Sequence, residues 1–245
     1  MPYVELHACS AFSFLRGGSF PEQLAEVAAE LKMPAMALLD RNGVYGAQRF
    51  SVAARKHGVR PIIGCELSME DGSILPVLVA NRTGYKNLCE LLTQAHLRSE
   101  KGECAVGWDE LAQFAKGLVV LLGSTEGRAR LLIDAFGREN VFVELQRHFI
   151  RGEERINREL IDLARANRLS LLATNGVQYA KPYGREVLDV FTCIREHTHL
   201  DAAGKLLTQN AERHLKSDRE MRELFRDLPE AIENTSRLAD RKSVV

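Results

Sequence analysis

The run Ala35-Met36-Ala37-Leu38-Leu39-Asp40-Arg41-Asn42 passes abruptly from apolar residues to charge. Residues 35–39 have strand length and no polar side chain, which suits a strand covered on both faces. Residues 45–56 then read as a helix ended by His57-Gly58, and residues 61–67 as a second strand. Strand, helix, strand is the repeating unit of a parallel α/β sheet. The pattern extends in both directions. Upstream, residues 4–7 read as a strand, and Pro21-Glu22 opens a helix with Leu24, Val27, Ala28 and Leu31 on one face. Downstream, strands are expected at 75–79, 118–122, 141–145 and 171–174, separated by helices through Leu88, Leu91, Leu92 and Ala95, then at 108–115, 128–136 and 153–167. Seven strands alternating with helices imply a mostly parallel sheet with right-handed crossovers, closed as a barrel or open and doubly wound. No G-x-G-x-x-G follows the first strand, which favours the barrel. Beyond residue 183 only helices are expected, at 183–195, 213–225 and 229–238, with 201–209 a connector.

The chain has 245 residues, enough for one large domain or two small ones. Its 45% hydrophobic and 27% charged residues belong to a globular chain with a substantial core, not a disordered one. Lys plus Arg and Asp plus Glu are both 33, so no global field draws the chain to nucleic acid or a membrane surface. A nucleic-acid role must therefore be local or belong to a partner, and tight duplex binding is not expected. The longest apolar run, 118–122, is far short of the roughly 20 residues that span a bilayer. With no basic leader or apolar signal core at Met1, the expected compartment is the cytoplasm. Five cysteines without a C-x-x-C pair suggest reduced, buried thiols, not a disulfide framework or zinc ribbon.

Functional residues of parallel α/β folds collect where the strands' carboxyl ends converge. That rule selects His7, Cys9, Asp40, Arg41, Glu66, Glu144, His148 and Asn175. Alternation places His7 and Cys9 on one side of a strand, where imidazole and thiolate suit zinc or a manganese-like ion. Singly, each has a plainer role: a strand-end His or Cys is more often a core residue, and Asp or Glu after a strand more often a cap or turn former. Arg16, Arg41 and Arg147, expected near the same mouth, sit badly beside a cation but suit Asp40, Glu66 and Glu144.

At these strand ends the sequence resembles the PHP (polymerase and histidinol phosphatase) domain that begins bacterial replicative DNA polymerase α subunits, most closely the error-prone branch. The resemblance rests on His7-Ala8-Cys9-Ser10-Ala11-Phe12-Ser13, Leu38-Leu39-Asp40-Arg41-Asn42-Gly43-Val44-Tyr45-Gly46 and Ile62-Ile63-Gly64-Cys65-Glu66. It continues in Asn81-Arg82-Thr83-Gly84-Tyr85, Val143-Glu144-Leu145-Gln146-Arg147-His148, Thr174-Asn175-Gly176-Val177-Gln178 and Arg213-His214-Leu215-Lys216-Ser217. Such a resemblance implies a distorted seven-stranded (βα) barrel over residues 1–198. Residues 199–245 would form a helical connector toward a polymerase palm that this chain lacks.

Active members of the family hold up to three metal ions for phosphoesterase or 3′–5′ exonuclease chemistry. Carried over residue by residue, that ligand set is broken here: H-x-H becomes His7-Ala8-Cys9, an Asp becomes Arg16, and T-D-H keeps Asp40 but has Arg41. Glu66 and His148 match, a further His falls at Ile74, and the late N-D-V-H becomes Asn175-Gly176-Val177-Gln178. The resemblance thus implies a vestigial site of His7, Cys9, Arg16, Asp40, Arg41, Glu66, Glu144, His148, Asn175 and Gln178. No metal is expected in it, the weak candidate ligands being His7, Cys9, Glu66 and His148. Two-metal chemistry fails without its bridging ligands, so a structural role is expected, with no catalytic residue in this chain. Nucleotidyl transfer with Mg²⁺ would belong to the parent polymerase, which would meet DNA and other translesion-synthesis proteins during repair and replication. The alternative is an active phosphoesterase or exonuclease using Zn or Mn at a reduced site. Asp240-Arg241-Lys242-Ser243-Val244-Val245 departs from the family and matches one frame of a common sequencing adapter, so truncation is expected there.

Overall fold

The computed structural model describes residues 1–123 and 127–241. Residues 242–245, most of the divergent tail, lie outside them. In chain order the elements are α1 (Pro21–Glu30), β1 (Ala35–Arg41), α2 (Ala47–Lys56), β2 (Arg60–Ser68), β3 (Ile74–Val79), α3 (Arg82–Arg98) and α4 (Leu111–Phe114). They continue as β4 (Leu118–Leu122), α5 (Ala129–Phe136), β5 (Val141–Leu145), α6 (Glu153–Asn167) and β6 (Ser170–Ala173). After the last strand come α7 (Gly184–Arg195), α8 (Leu200–Ala203), α9 (Asp218–Leu224) and α10 (Pro229–Asp240).

The strands form one sheet in the order β1-β2-β3-β4-β5-β6. Among the described residues the sheet has six strands, not the expected seven, and it is mixed. β1–β2, β4–β5 and β5–β6 are parallel, whereas β3 runs antiparallel to both β2 and β4. The reason is connection length. Only Met69 to Ser73 separate β2 from β3, and a parallel crossover needs a dozen or more residues.

The expected first strand, residues 4–7, makes one isolated bridge, Glu5 with Met36 of β1, and Ala8 just after it makes another with Val177 beyond β6. Its amides are spent on side chains. Tyr3 N donates to Asp218, Val4 N to Thr235 and His7 N to the carboxylate of Glu5, so no continuous ladder can form. The segment still links β1 to the chain that follows β6, because Ala37 N donates to Glu5 O and Val177 N to His7 O.

Side-chain alternation decides what the mouth contains. Ala37 and Leu39 of β1, Ile62 of β2, Leu78 of β3, Leu121 of β4, Phe142 of β5 and Leu172 of β6 share an inner cluster. Leu238 and Ala239 of α10 close that cluster together with Val4 and Leu6. Continuing the alternation brings Arg41, Glu66 and Glu144 to the inner face at the carboxyl ends. Asp40 falls on the other face with Met36 and Leu38, which pack under the helices against Leu24 and Phe50. The expected helix at 213–225 is shorter, because residue 214 is held in a bridge to Tyr179 and α9 starts only at the Ser217 capping box. No described helix is long and apolar enough to cross a membrane.

Candidate functional site

A cavity of about 510 Å³ opens at the carboxyl ends, lined by His7, Arg41, Glu66, Ile74, Glu144 and Gln146 among others. His7 is at its centre. Nδ1 lies 2.6 Å from Glu144 Oε1 and Nε2 lies 2.8 Å from Glu66 Oε1. Arg41 Nε donates to the other Glu66 oxygen at 2.8 Å, as the β1–β2 register, which pairs Arg41 with Glu66, requires. Thr174 Oγ1 donates to Glu144 Oε1, while Gln146 stands between Thr174 and Arg213.

Burial alone would lower the pKa of His7, but the charge of Glu144 and the hydrogen bonds to Glu144 and Glu66 outweigh it and raise the value to about 10. Burial would raise Glu66, yet His7 and then Arg41 hold it at about 2. Glu144, opposed in the same way by burial, is lowered by the charge and hydrogen bond of His7. The result is an imidazolium between two carboxylates, with one guanidinium completing a neutral set.

The remaining expected site residues are placed elsewhere. Asp40 meets neither arginine: Oδ1 accepts from Ser10 N, Ser10 Oγ and Ser13 Oγ at 2.8–2.9 Å, and Oδ2 from Gly46 N at 3.0 Å. It organises the loop after His7. The Cys9 thiol is directed at Arg16 O (3.6 Å) instead of joining His7, and burial, then the charges of Glu66 and Asp40, push its pKa up. His148 sits between Glu153 Oε1 and Asn175 O, both at 2.9 Å. Asn175 donates to the carbonyls of Glu212 and His214. Gln178 is fixed through its backbone, its amide donating to Arg213 O and its carbonyl accepting from Gly18. The Arg16 guanidinium makes no hydrogen bond or ion pair among the described residues. Arg147 corrects the expectation most directly. One position after inward Gln146, it points outward to Glu154 and Asp227 and stacks over Phe225.

Sequence reasoning missed Glu5, a fully buried carboxylate accepting from Tyr3 Oη (2.7 Å), His7 N (2.8 Å) and Asn175 N (3.0 Å). Burial outweighs these donors and raises its pKa to about 7. A lone carboxylate inside Val4-Glu5-Leu6 was the available signal.

Among the described residues no group of three or more His, Cys, Asp or Glu is arranged to hold a metal ion. The central donors show why. A cation binds imidazole through a free lone pair, whereas both nitrogens of His7 are committed to carboxylates. These residues, as arranged, do not fit a metal cluster.

The PHP domain family model matches residues 5–134. An error-prone DNA polymerase of Caulobacter vibrioides is 36% identical over 250 residues, covering 98% of this chain and 23% of that protein. An error-prone DNA polymerase of Anaeromyxobacter is 39% identical over 97% of this chain and 22% of its own length. The chain therefore spans less than a quarter of the curated relatives it matches. A solved Bifidobacterium adolescentis structure described as a metal-dependent phosphoesterase superposes with a TM-score of 0.50 at 16% identity, covering 91% of this chain and 95% of its own. At that identity the likeness concerns the fold.

Proposed function

The chain belongs to the PHP domain family, and from that premise we propose that it is the amino-terminal PHP module of an error-prone DNA polymerase. Its barrel mouth is held by ion pairs instead of metal. The carrying observation is His7 bound through both ring nitrogens to Glu66 and Glu144, with Arg41 on the far oxygen of Glu66. Metal-dependent ester hydrolysis needs a cation to polarise the phosphoryl oxygen and generate hydroxide. Here a protonated imidazole and a guanidinium take the cation's electrostatic place but offer no open coordination position. Residues 1–198 form the module proper and 199–245 the passage toward the polymerase core, where Mg²⁺-dependent nucleotidyl transfer on DNA resides. Its role is architectural, within a cytoplasmic polymerase acting in translesion synthesis and repair.

The test is metal analysis of the protein purified without chelator, paired with phosphodiesterase assays in Mn²⁺ and Zn²⁺. Less than a tenth of an equivalent of metal and no turnover are expected. Stoichiometric metal with ester hydrolysis that is lost in His7→Ala would replace this reading with the active phosphoesterase, for which His7, Cys9, Glu66 and His148 would be the ligands.

A further inference from the structure

Beside the mouth, and meeting it only at Arg41, lies a second cavity of about 730 Å³ between the loop after His7, the end of β1 and the end of α7. Its lining includes Arg16, Arg41 and Arg195, with His96 and His197, and contains no Asp or Glu among the described residues. In a chain whose charges balance at 33 of each sign, this is a local concentration of one sign. Arg195 keeps Glu196 at 2.9 Å and Arg41 keeps Glu66 at 2.8 Å, but Arg16 has no hydrogen-bonded or ion-paired partner among the described residues. Desolvation and the nearby charges of Arg41 and Arg195 lower the pKa of Arg16, so the guanidiniums repel one another across a space that an anion would relieve.

The same groove carries large rings exposed to solvent. Phe14 is 80% exposed and Tyr45 60%. Neither belongs to the core, and both line the basic cavity. The backbone there is also held against its preferences. Leu15 (φ 62°), Asn42 (φ 53°) and His197 (φ 51°) all border this groove, half of the non-glycine residues with positive φ among the described residues. For Leu and His that conformation costs free energy, and surrounding contacts must impose it. Arg195 Nη1 helps to do so by donating to Leu15 O at 2.7 Å.

We propose that this groove binds a short segment of single-stranded nucleic acid, with Arg16 and Arg195 on its phosphates and Phe14 and Tyr45 stacked on its bases. Guanidiniums match phosphate geometry, and each exposed ring can take the face of any base. A duplex hides those faces within its own stack, so the rings select unpaired strands. The site is independent of the ion-paired mouth and does not need that reading to hold.

The experiment is fluorescence anisotropy of labelled dT12 with the whole chain, from 25 to 200 mM KCl. A dissociation constant in the range of roughly 10⁻⁴–10⁻⁶ M is expected, with a salt slope of about −1.4 for two neutralised phosphates. Arg16→Ala should reduce that slope by about 0.7, and Arg16→Lys should restore it. Phe14→Ala, at a side chain too exposed to endanger folding, should weaken binding about 5- to 150-fold at unchanged slope, the loss of one stacked base. A blunt-ended duplex of equal length should bind at least tenfold more weakly. Three results would overturn the proposal: no binding of dT12 at 100 μM protein in 25 mM KCl, equal binding of duplex, or a Phe14→Ala affinity equal to the parent's. The last would mean that the groove attracts any polyanion, and an acidic peptide or anionic vesicle would then compete as well as DNA.

Discussion

Replacing Arg41 by alanine probes the mouth most directly. The guanidinium is 20% exposed, its partner Glu66 14%, and their contact is 2.8 Å. For an exposed pair the loss would be at most about 1 kcal/mol. For a buried pair stripped of one member it is about 3–5 kcal/mol, chiefly because the remaining charge is desolvated and uncompensated. Glu66 stands between these limits, since its other oxygen keeps His7 at 2.8 Å. The expected destabilisation is therefore about 2–3 kcal/mol, below the figure for an orphaned charge. In a domain of this size that lowers Tm by about 4–12 °C. Urea unfolding should show the same loss as a shift in midpoint with little change in slope. A cycle with Glu66→Gln should place most of the effect in the pair, because the double variant leaves no carboxylate to strand. A metal centre predicts the opposite behaviour. Removing a fixed cation from its edge would strengthen ion binding, and Mn²⁺ or Zn²⁺ would then raise Tm by mass action. An unchanged midpoint in Arg41→Ala, together with metal-dependent stabilisation of the parent chain, would refute the ion-pair account.

The pH profile follows from three buried groups. Glu66, held at about 2 against an ordinary 4.5, stabilises fully above 4.5 and loses that contribution as pH falls through about 2. His7, raised from 6.5 to about 10, stabilises fully below 6.5 and loses that contribution as pH rises through about 10. Glu5, raised from 4.5 to about 7, favours the protonated fold, so its contribution is present below 4.5 and lost as pH rises through about 7. Tm should accordingly peak near pH 4.5 and decline from there toward pH 7, a decline that Glu5→Gln should flatten; a Tm still rising from pH 6.5 to 8 would contradict the assignment. Asp40→Ala strips the acceptor from the buried amides of Ser10 and Gly46 and should cost about 3 kcal/mol or more in chemical denaturation; a loss under 1 kcal/mol would mean that water replaces the carboxylate. Leu238→Ala should cost about 2–5 kcal/mol through the cavity left in the inner cluster, and a surface-like loss below 1 kcal/mol would show that α10 does not close it.

The alternation of strands and helices was legible because each strand is an apolar run of the right length between polar breaks. The antiparallel β3 is legible too, because the spacing between Leu67 and Leu75 is too short for a parallel crossover. The amino-terminal segment was not. Residues 4–7 have a strand's composition, and what prevents a ladder is the capture of the amides of Tyr3, Val4 and His7 by Asp218, Thr235 and Glu5. Two of those acceptors lie more than 200 residues away, so no local pattern could announce them.

The site divides in the same way. Proximity to a strand's carboxyl end was enough to nominate Arg41, Glu66, Glu144 and Asp40, but the face each occupies depends on where its neighbours begin to point inward. Counting back by twos from Leu39, an apolar residue of the inner cluster, puts Arg41 inside and Asp40 outside. The same count from Phe142 puts Glu144 and Gln146 inside, leaving Arg147 to pair with Asp227. The inner face of each strand thus separates Arg41, which meets Glu66, from Asp40, which meets no arginine. Arg16 is the exception. It lies on a loop, where no period applies, and only the fold shows that it stands among other arginines and exposed rings instead of beside a carboxylate.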